Sequence, residues 1–221
     1  MDNIVITIAR HFGSGGKTIG HMLADDLGIK CYGREIIKMA SEDSGINEAL
    51  FNKADEKLKR TPLFLSLLKG EYKGKLITPD SGEFVSDQNL FNYQAKIIRE
   101  LAARESCIII GRAADYVLRD NPNRVSVFVH ASREYCIEQA VARHACIGDP
   151  EKFIEKTDKY RSDFYKYYTG QEWTDARNYD LCLNSERLGF EMCIRDRFLN
   201  YHADALIDCI YCSRRIVFLL I

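Results

Sequence analysis

The chain has 221 residues, of which 46% are apolar and 29% are charged, and its formal net charge is −1. This length and apolar content favour one compact domain with a proper core, whereas the balanced charge argues against a nucleic-acid-binding surface. No apolar stretch is long enough to span a bilayer, no signal peptide is expected, and the eight scattered cysteines are expected to be reduced thiols. We therefore expect a cytoplasmic protein, a monomer by default, without nucleic-acid or membrane partners.

The first element is an apolar stretch, residues 4–8, that runs into a glycine-rich turn and then into a helical pattern. Glycines in such a turn let successive backbone N–H groups face an anion, and the following helix directs its positive dipole end at it. Lys17 can reach the β- and γ-phosphates of a nucleotide, and the Thr18 hydroxyl can ligate Mg²⁺. His11 replaces the first glycine of the usual motif, and a bare glycine-serine run is also typical of a flexible turn. The residues predicted to bind ATP are Gly13, Ser14, Gly15, Gly16, Lys17 and Thr18.

Strand and helix patterns alternate along the rest of the chain, which predicts a parallel sheet covered by helices. The five predicted strands are residues 4–8, 29–32, 107–110, 124–130 and 179–184. Helices are predicted at 18–27, 34–44, 47–59, from an N-cap at Asp87, from an N-cap at Ser132, and at 149–168. Residues 60–86 lose all periodicity and are predicted to form an irregular, mobile or functional insertion. A charged helical segment before the last strand is typical of a small phosphotransferase.

Several motifs together identify a family. They are residues 6–10 leading into 12–16, then 109–116, 158–161, 167–170 with Trp173, and 178–185. This set resembles the cytidylate kinase-like family of small P-loop kinases over about residues 3–190. The resemblance implies the nucleoside-monophosphate-kinase fold, an α/β P-loop NTPase fold with a five-stranded parallel sheet, an acceptor-binding region and a helical lid that closes over ATP. It assigns residues 1–190 to a kinase domain, 149–173 to its lid, and ATP and Mg²⁺ to its chemistry.

The resemblance also suggests roles for four further residues. Lys159 and Arg161 lie where the lid of such kinases carries its catalytic basic side chains. However, residues 149–166 contain five basic and five acidic residues, and a solvated helix with paired charges has the same pattern. Arg112 and Asp115 follow an apolar strand at the edge where such sheets bind ligands, so both are candidates for binding the acceptor. Alternatively, Arg112 packs on the next helix and Asp115 occupies its favourable first turn.

Two positions depart from the family pattern. Gly33 stands where members usually carry an aspartate, and Ile110 stands where authentic cytidylate kinases have an acidic residue. The predicted activity is transfer of a phosphoryl group from ATP to a small acceptor, with CMP or dCMP as first choice by resemblance. A kinase for a different small metabolite and a nucleotide-binding regulatory module without turnover are the alternatives.

The end of the chain reads differently from the rest. Residues 192–197, Met-Cys-Ile-Arg-Asp-Arg, back-translate to the transposon mosaic-end adapter used in sequencing libraries. We therefore expect residues 191–221 to be a non-native tail, produced by adapter read-through or a chimeric join, and resequencing the locus from unamplified DNA tests this.

Overall fold

A five-stranded, all-parallel sheet organises the protein, in a computed structural model that describes residues 3–58, 76–77, 79–146 and 148–194. The strands are Val5–Arg10 (β1), Lys30–Tyr32 (β2), Cys107–Ile110 (β3), Arg124–His130 (β4) and Leu181–Asn184 (β5). Their order is β2-β3-β1-β4-β5, and β1 pairs in parallel with both β3 and β4. The predicted five-stranded parallel sheet is thereby confirmed.

The described residues contain eight α-helices and one short 3₁₀ turn, Ala176–Asn178. The helices are Gly16–Leu27 (α1), Glu35–Ser44 (α2), Glu48–Leu58 (α3), Asp87–Arg104 (α4), Ala114–Val117 (α5), Arg133–Ala142 (α6), Pro150–Thr169 (α7) and Ser185–Ile194 (α8). Of these, α1 and α8 pack on one face of the sheet, whereas α2, α3, α4 and α7 contribute to the core on the other. None of the described helices is both long and apolar enough to cross a membrane.

The strand β1 shows why the sheet buries both faces. Its side chains alternate between the two sides, as the pleat requires. Ile6 and Ile8 join the core that contains Leu23 of α1, whereas Val5 and Ala9 join the core on the opposite face. All four are buried, so a nearly continuous apolar sequence is what this central strand needs.

Three predicted boundaries differ from the structure. Helix α4 is capped by Ser86 and not by Asp87, because the Ser86 hydroxyl accepts a hydrogen bond from the Asn89 amide at 3.3 Å. The last strand begins at Leu181, two residues later than expected. Helix α7 begins at Pro150, after an N-cap at Asp149. The predicted cap at Ser132 is confirmed by its bond from the Tyr135 amide.

Much of the predicted irregular insertion at 60–86 lies outside the described residues, which resume at 76–77 and 79–86. This last part is held by Asn89, a fully buried side chain that donates to the carbonyls of Ile77 and Phe84. Residues 195–221 of the predicted non-native tail also lie outside the described residues, whereas its first four residues complete α8. The origin of that tail stays a prediction.

Candidate active site

A loop that joins β1 to α1 forms a cradle of free backbone donors. Gly13 and Gly15 adopt left-handed conformations, with φ of 83° and 79°. Within the described chain, the amides of five residues donate no hydrogen bond: Gly13, Gly15, Gly16, Lys17 and Thr18. Unpaired amides at the start of a helix bind oxyanions, so the loop fits the phosphate groups of a nucleotide.

The loop is fixed by packing that leaves no room for larger side chains. A Cβ on Gly13 would lie 2.4 Å from the Cys136 carbonyl oxygen, and one on Gly15 would lie 2.3 Å from the Phe190 ring. The Ser14 hydroxyl is fully buried and donates toward the carbonyl oxygens of His11 and Val129, at 3.0 and 3.1 Å. Ser14 therefore holds the loop in shape, while its predicted contact with nucleotide remains untested.

The two residues that follow the glycines differ in their surroundings. Lys17 is exposed, and its charge acts on the Glu35 carboxylate. The Thr18 hydroxyl, the predicted Mg²⁺ ligand, accepts a hydrogen bond from Arg143 at 2.7 Å. The Arg143 guanidinium also lies over the Phe190 ring, 5.3 Å from its centroid. Arg143 and Phe190 thus border the loop, although the sequence analysis did not identify either.

A carboxylate lies beside the glycine that departs from the family pattern. Glu35 folds back to accept a hydrogen bond from the Gly33 amide at 2.8 Å, and a Cβ on Gly33 would lie 3.6 Å from the same oxygen. Hydrogen bonds from its own amide and from that of Gly33 lower the pKa of Glu35, with smaller effects from Lys17 and His21. An ionised carboxylate therefore sits next to position 33 even though that residue has no side chain.

Helix α7 is tied to the phosphate loop by two charged residues. The Asp158 carboxylate accepts hydrogen bonds from the Phe12 amide at 2.8 and 3.1 Å. Arg161 donates to the Arg10 carbonyl and to Asp158, both at 3.0 Å. Burial raises the pKa of Asp158, and the positive charge of Arg161 opposes that effect. Arg161 therefore lies beside the phosphate loop, and its catalytic role stays a prediction.

Lys159 is placed differently. It is exposed and pairs with Asp163, one helical turn further along α7, at 3.1 Å. Lys159 therefore matches the alternative of a solvated helix with paired charges. Among the described interactions, none joins this lysine to the phosphate loop, and its catalytic role stays a prediction.

The acceptor candidates follow β3 through an unusual backbone. Gly111, Arg112 and Ala113 all have positive φ, at 76°, 62° and 50°. Consecutive left-handed residues other than glycine are strained, and such strain often occurs at ligand sites. Asp115 lies just beyond, 5% exposed, and accepts a hydrogen bond from the Tyr165 hydroxyl at 2.6 Å. Burial raises the pKa of Asp115 to about 6.

A further arginine that the sequence analysis missed completes this edge. Burial lowers the pKa of Arg10, the last residue of β1, and the nearby charges of Arg161, Arg112 and Arg34 lower it further. By contrast, the aromatic residues near the end of α7 pack in the interior of the protein. Tyr168 stacks on Phe91 with ring centroids 4.0 Å apart. The buried members of this group are Phe164, Tyr165, Tyr167, Tyr168 and Trp173.

Known proteins support this architecture. An uncharacterized protein from Eubacterium ventriosum superposes with a TM-score of 0.61 at 24% identity, covering 95% of this chain and 99% of that one. A gluconokinase from Sinorhizobium meliloti gives 0.51 at 14% identity, covering 96% and 98%. A shikimate kinase from Bacteroides thetaiotaomicron gives 0.50 at 12% identity, covering 87% and 95%. These likenesses show the P-loop kinase fold.

Among curated proteins, none matches this chain. The sequence profile of the cytidylate kinase-like family, however, matches residues 5–187, which span all five strands of the sheet. The chain is therefore a member of the cytidylate kinase-like family.

Proposed function

We propose that this protein is an ATP-dependent phosphotransferase that acts on a small acceptor, with CMP or dCMP as the first choice. The observation that carries the proposal is the segment from Gly13 to Thr18, where five amides donate no hydrogen bond within the described part of the chain and Lys17 is exposed. Arginines lie on the side of this loop where α7 and the end of β3 meet it. An anionic donor held by amides and faced by guanidinium groups is what phosphoryl transfer requires.

The reaction assigns a role to each residue. The five unpaired amides of the loop and the Lys17 ammonium hold the β- and γ-phosphates of ATP. An acceptor oxygen attacks the γ-phosphorus, the bond to the β–γ bridging oxygen breaks, and ADP leaves with the electron pair of that bond. Arg161 neutralises charge on the transferring group, and we assign Lys159 the same task on closure of the lid.

Mg²⁺ fits the site through the Thr18 hydroxyl, a hard oxygen ligand beside the amide cradle. When bound, the ion neutralises charge on the β- and γ-phosphates. Arg143 now donates to that hydroxyl, so a bound ion would have to share this oxygen with the arginine.

Arg112 and Asp115 are proposed to bind the acceptor. An arginine next to a phosphate monoester offers bidentate hydrogen bonds, which favours a nucleoside monophosphate. The missing side chain at Gly33 and the apolar Ile110 favour a different acceptor, such as another small metabolite. Family membership supports the cytidylate choice over that alternative.

The test is ADP release from Mg-ATP with a panel of nucleoside monophosphates. We expect turnover with CMP or dCMP, and a decrease of roughly 10²- to 10³-fold in Lys17→Ala, because one preorganised positive donor is lost. Lys38→Ala, which removes an exposed lysine from α2, is the matched control and should retain full activity.

The possible results separate the candidate functions. Turnover that depends on Lys17 but needs an acceptor outside the panel would favour the metabolite kinase. ATP binding by folded protein without turnover on any acceptor would instead indicate a regulatory module.

A further inference from the structure

Arg10 occupies a space that two glycines leave open. A Cβ on Gly111 would lie 2.4 Å from the Arg10 Nη1 atom, and one on Gly16 would lie 2.6 Å from the Arg10 Cβ. The guanidinium group is therefore placed between the end of β1, which carries it, and the end of the neighbouring strand β3. Ligands of parallel sheets bind at this edge.

This guanidinium group has no counter-ion in the described part of the chain. There it donates no hydrogen bond and forms no ion pair. Asp158 is the acidic residue that acts on it, but that carboxylate is engaged with the Phe12 amide and with Arg161. The other charged neighbours that act on Arg10 are arginines: Arg161, Arg112 and Arg34.

The charges around the Arg10 guanidinium group favour the binding of an anion. Burial first, and then the neighbouring guanidinium groups, lower the pKa of Arg10 to about 9, which leaves it protonated at neutral pH. Arg10 is only partly exposed, and a cation with little water around it is costly unless it is paired. A dianionic phosphate monoester would neutralise this charge and accept paired hydrogen bonds from the planar guanidinium group.

We propose that Arg10 binds the phosphate group of the acceptor, together with Arg34 and Arg112, and so selects acceptors that carry a phosphate over neutral alcohols. This inference rests on the proposed phosphotransferase function. Arg10 directly precedes the loop that holds the donor phosphates, so an acceptor phosphate bound to it lies next to the transferring group. Arg34, at the start of α2, and Arg112, after β3, are both near enough for their charges to act on Arg10.

The test compares ligands with and without the phosphate by calorimetric titration of the intact protein. We expect Arg10→Gln to weaken CMP binding at least tenfold, while ATP affinity stays within twofold and any binding of cytidine is unchanged. Arg10→Lys should recover part of the CMP affinity, because it restores charge but not the paired donors. Arg177→Gln, which removes an exposed arginine, is the matched control.

Inorganic phosphate separates this inference from the cytidylate proposal. If the wild type binds phosphate but not CMP, and Arg10→Gln abolishes phosphate binding, then Arg10 binds an acceptor phosphate of another molecule. A loss of ATP affinity alone would assign Arg10 to the donor and overturn the inference. Wild type that binds neither CMP nor phosphate would overturn it as well.

A measurement on the wild type covers the case in which the Arg10 variants fail to fold. Phenylglyoxal modifies arginine side chains, and the modified residues are mapped by peptide mass spectrometry. We expect inorganic phosphate to protect Arg10 at least fivefold and to leave Arg177 unprotected. Equal modification of Arg10 with and without phosphate would contradict the proposal.

Discussion

Asp115 carries a carboxyl group that burial keeps away from water. Burial raises its pKa to about 6, and hydrogen bonding from Tyr165 and the charge of Arg124 reduce that rise without cancelling it. At pH 7 the folded protein therefore holds a buried carboxylate that the unfolded chain would solvate. Such a group lowers the free energy of unfolding, and a binding role for Asp115 would explain why this cost is retained.

We predict that Asp115→Asn raises the free energy of unfolding at pH 7 by up to about 3 kcal/mol, from a pKa rise between 3.8 and about 6. An asparagine keeps an oxygen acceptor for Tyr165 and removes the buried charge. Because the folded carboxyl takes up a proton as the pH falls through about 6, the gain should shrink toward pH 4.5.

Urea unfolding of both proteins from pH 4.5 to 7 measures this difference. Asp120→Asn, at an exposed position nearby, is the control and should differ from wild type by less than about 0.5 kcal/mol. A difference for Asp115→Asn that does not vary with pH would contradict the assignment. If Asp115 binds the acceptor, the more stable variant should also show a higher KM for that acceptor.

At the scale of single residues, the sequence predicts a site residue when its neighbours in the site also lie next to it in the chain. Gly13, Lys17 and Thr18 belong to one contiguous segment, and a chemical task was predicted for each. Arg143 reaches Thr18 across 125 residues of sequence, and no spacing rule relates two such positions. Arg10 was missed for a different reason: an arginine at the end of a strand has no special pattern until the glycines around it are seen in space.

At the scale of elements, α7 and the phosphate loop behave as one unit. Asp158 and Arg161 bind the backbone at Phe12 and at Arg10, on both sides of His11. His11 itself packs edge-on against Phe128 and Trp173. A movement of α7 is therefore expected to shift the loop that we propose to hold the nucleotide.

We predict that Asp158→Asn weakens ATP binding about tenfold, because a charge-assisted hydrogen bond to the Phe12 amide becomes a neutral one and Arg161 loses its counter-ion. The amide of Phe12 should also exchange with deuterium faster than in the wild type. Calorimetric titration with ATP and amide exchange by NMR are the two measurements.

Asp163→Asn is the matched control on the same helix, because its partner Lys159 is exposed and surface pairs contribute little. It should leave both quantities within twofold of wild type. Identical behaviour of the two variants would show that Asp158 does not organise the loop.

Helix α7 also shows what the spacing of charged residues can and cannot predict. Residues two positions apart on an α-helix point about 200° apart, so Lys159 and Arg161 do not share a face. The pattern of charges along α7 could have placed either Lys159 or Arg161 at the loop. The four-residue spacing of Lys159 and Asp163 was already that of an ion pair on a helix. Apolar periodicity was more decisive: the predicted face of α4, residues 90, 91, 94, 97, 98 and 101, is fully buried.

At the scale of the whole molecule, the two faces of the sheet have separate cores of different size. The smaller one joins β1, α1 and α8, and it includes Cys193 and Ile194 in the last described turn of the chain. The order of strands in the sheet is not written in any local pattern, and the sequence analysis did not predict it. The contribution of Cys193 and Ile194 to this core was not expected, because residues 191–221 were predicted to be a non-native tail.

This packing predicts where the domain ends. Cys193 and Ile194 are 0% and 1% exposed, and they belong to the same core as Ile19 and Leu23. A chain truncated after Phe190 should therefore unfold at lower urea concentration than one truncated after Ile194. The expected difference in the free energy of unfolding is about 2–4 kcal/mol, the usual value for removing buried side chains of this size.

Two substitutions in the chain that ends at Ile194 separate packing from length. Ile194→Ala should lose about 2–3 kcal/mol, whereas Met192→Ala, half-exposed in the same turn, should lose less than about 0.5 kcal/mol. Equal stability of the two truncated chains would mean that the kinase domain is complete at Phe190. If stability is lost when Ile194 is replaced, then α8 needs an apolar residue there, whatever the origin of residues 191–221.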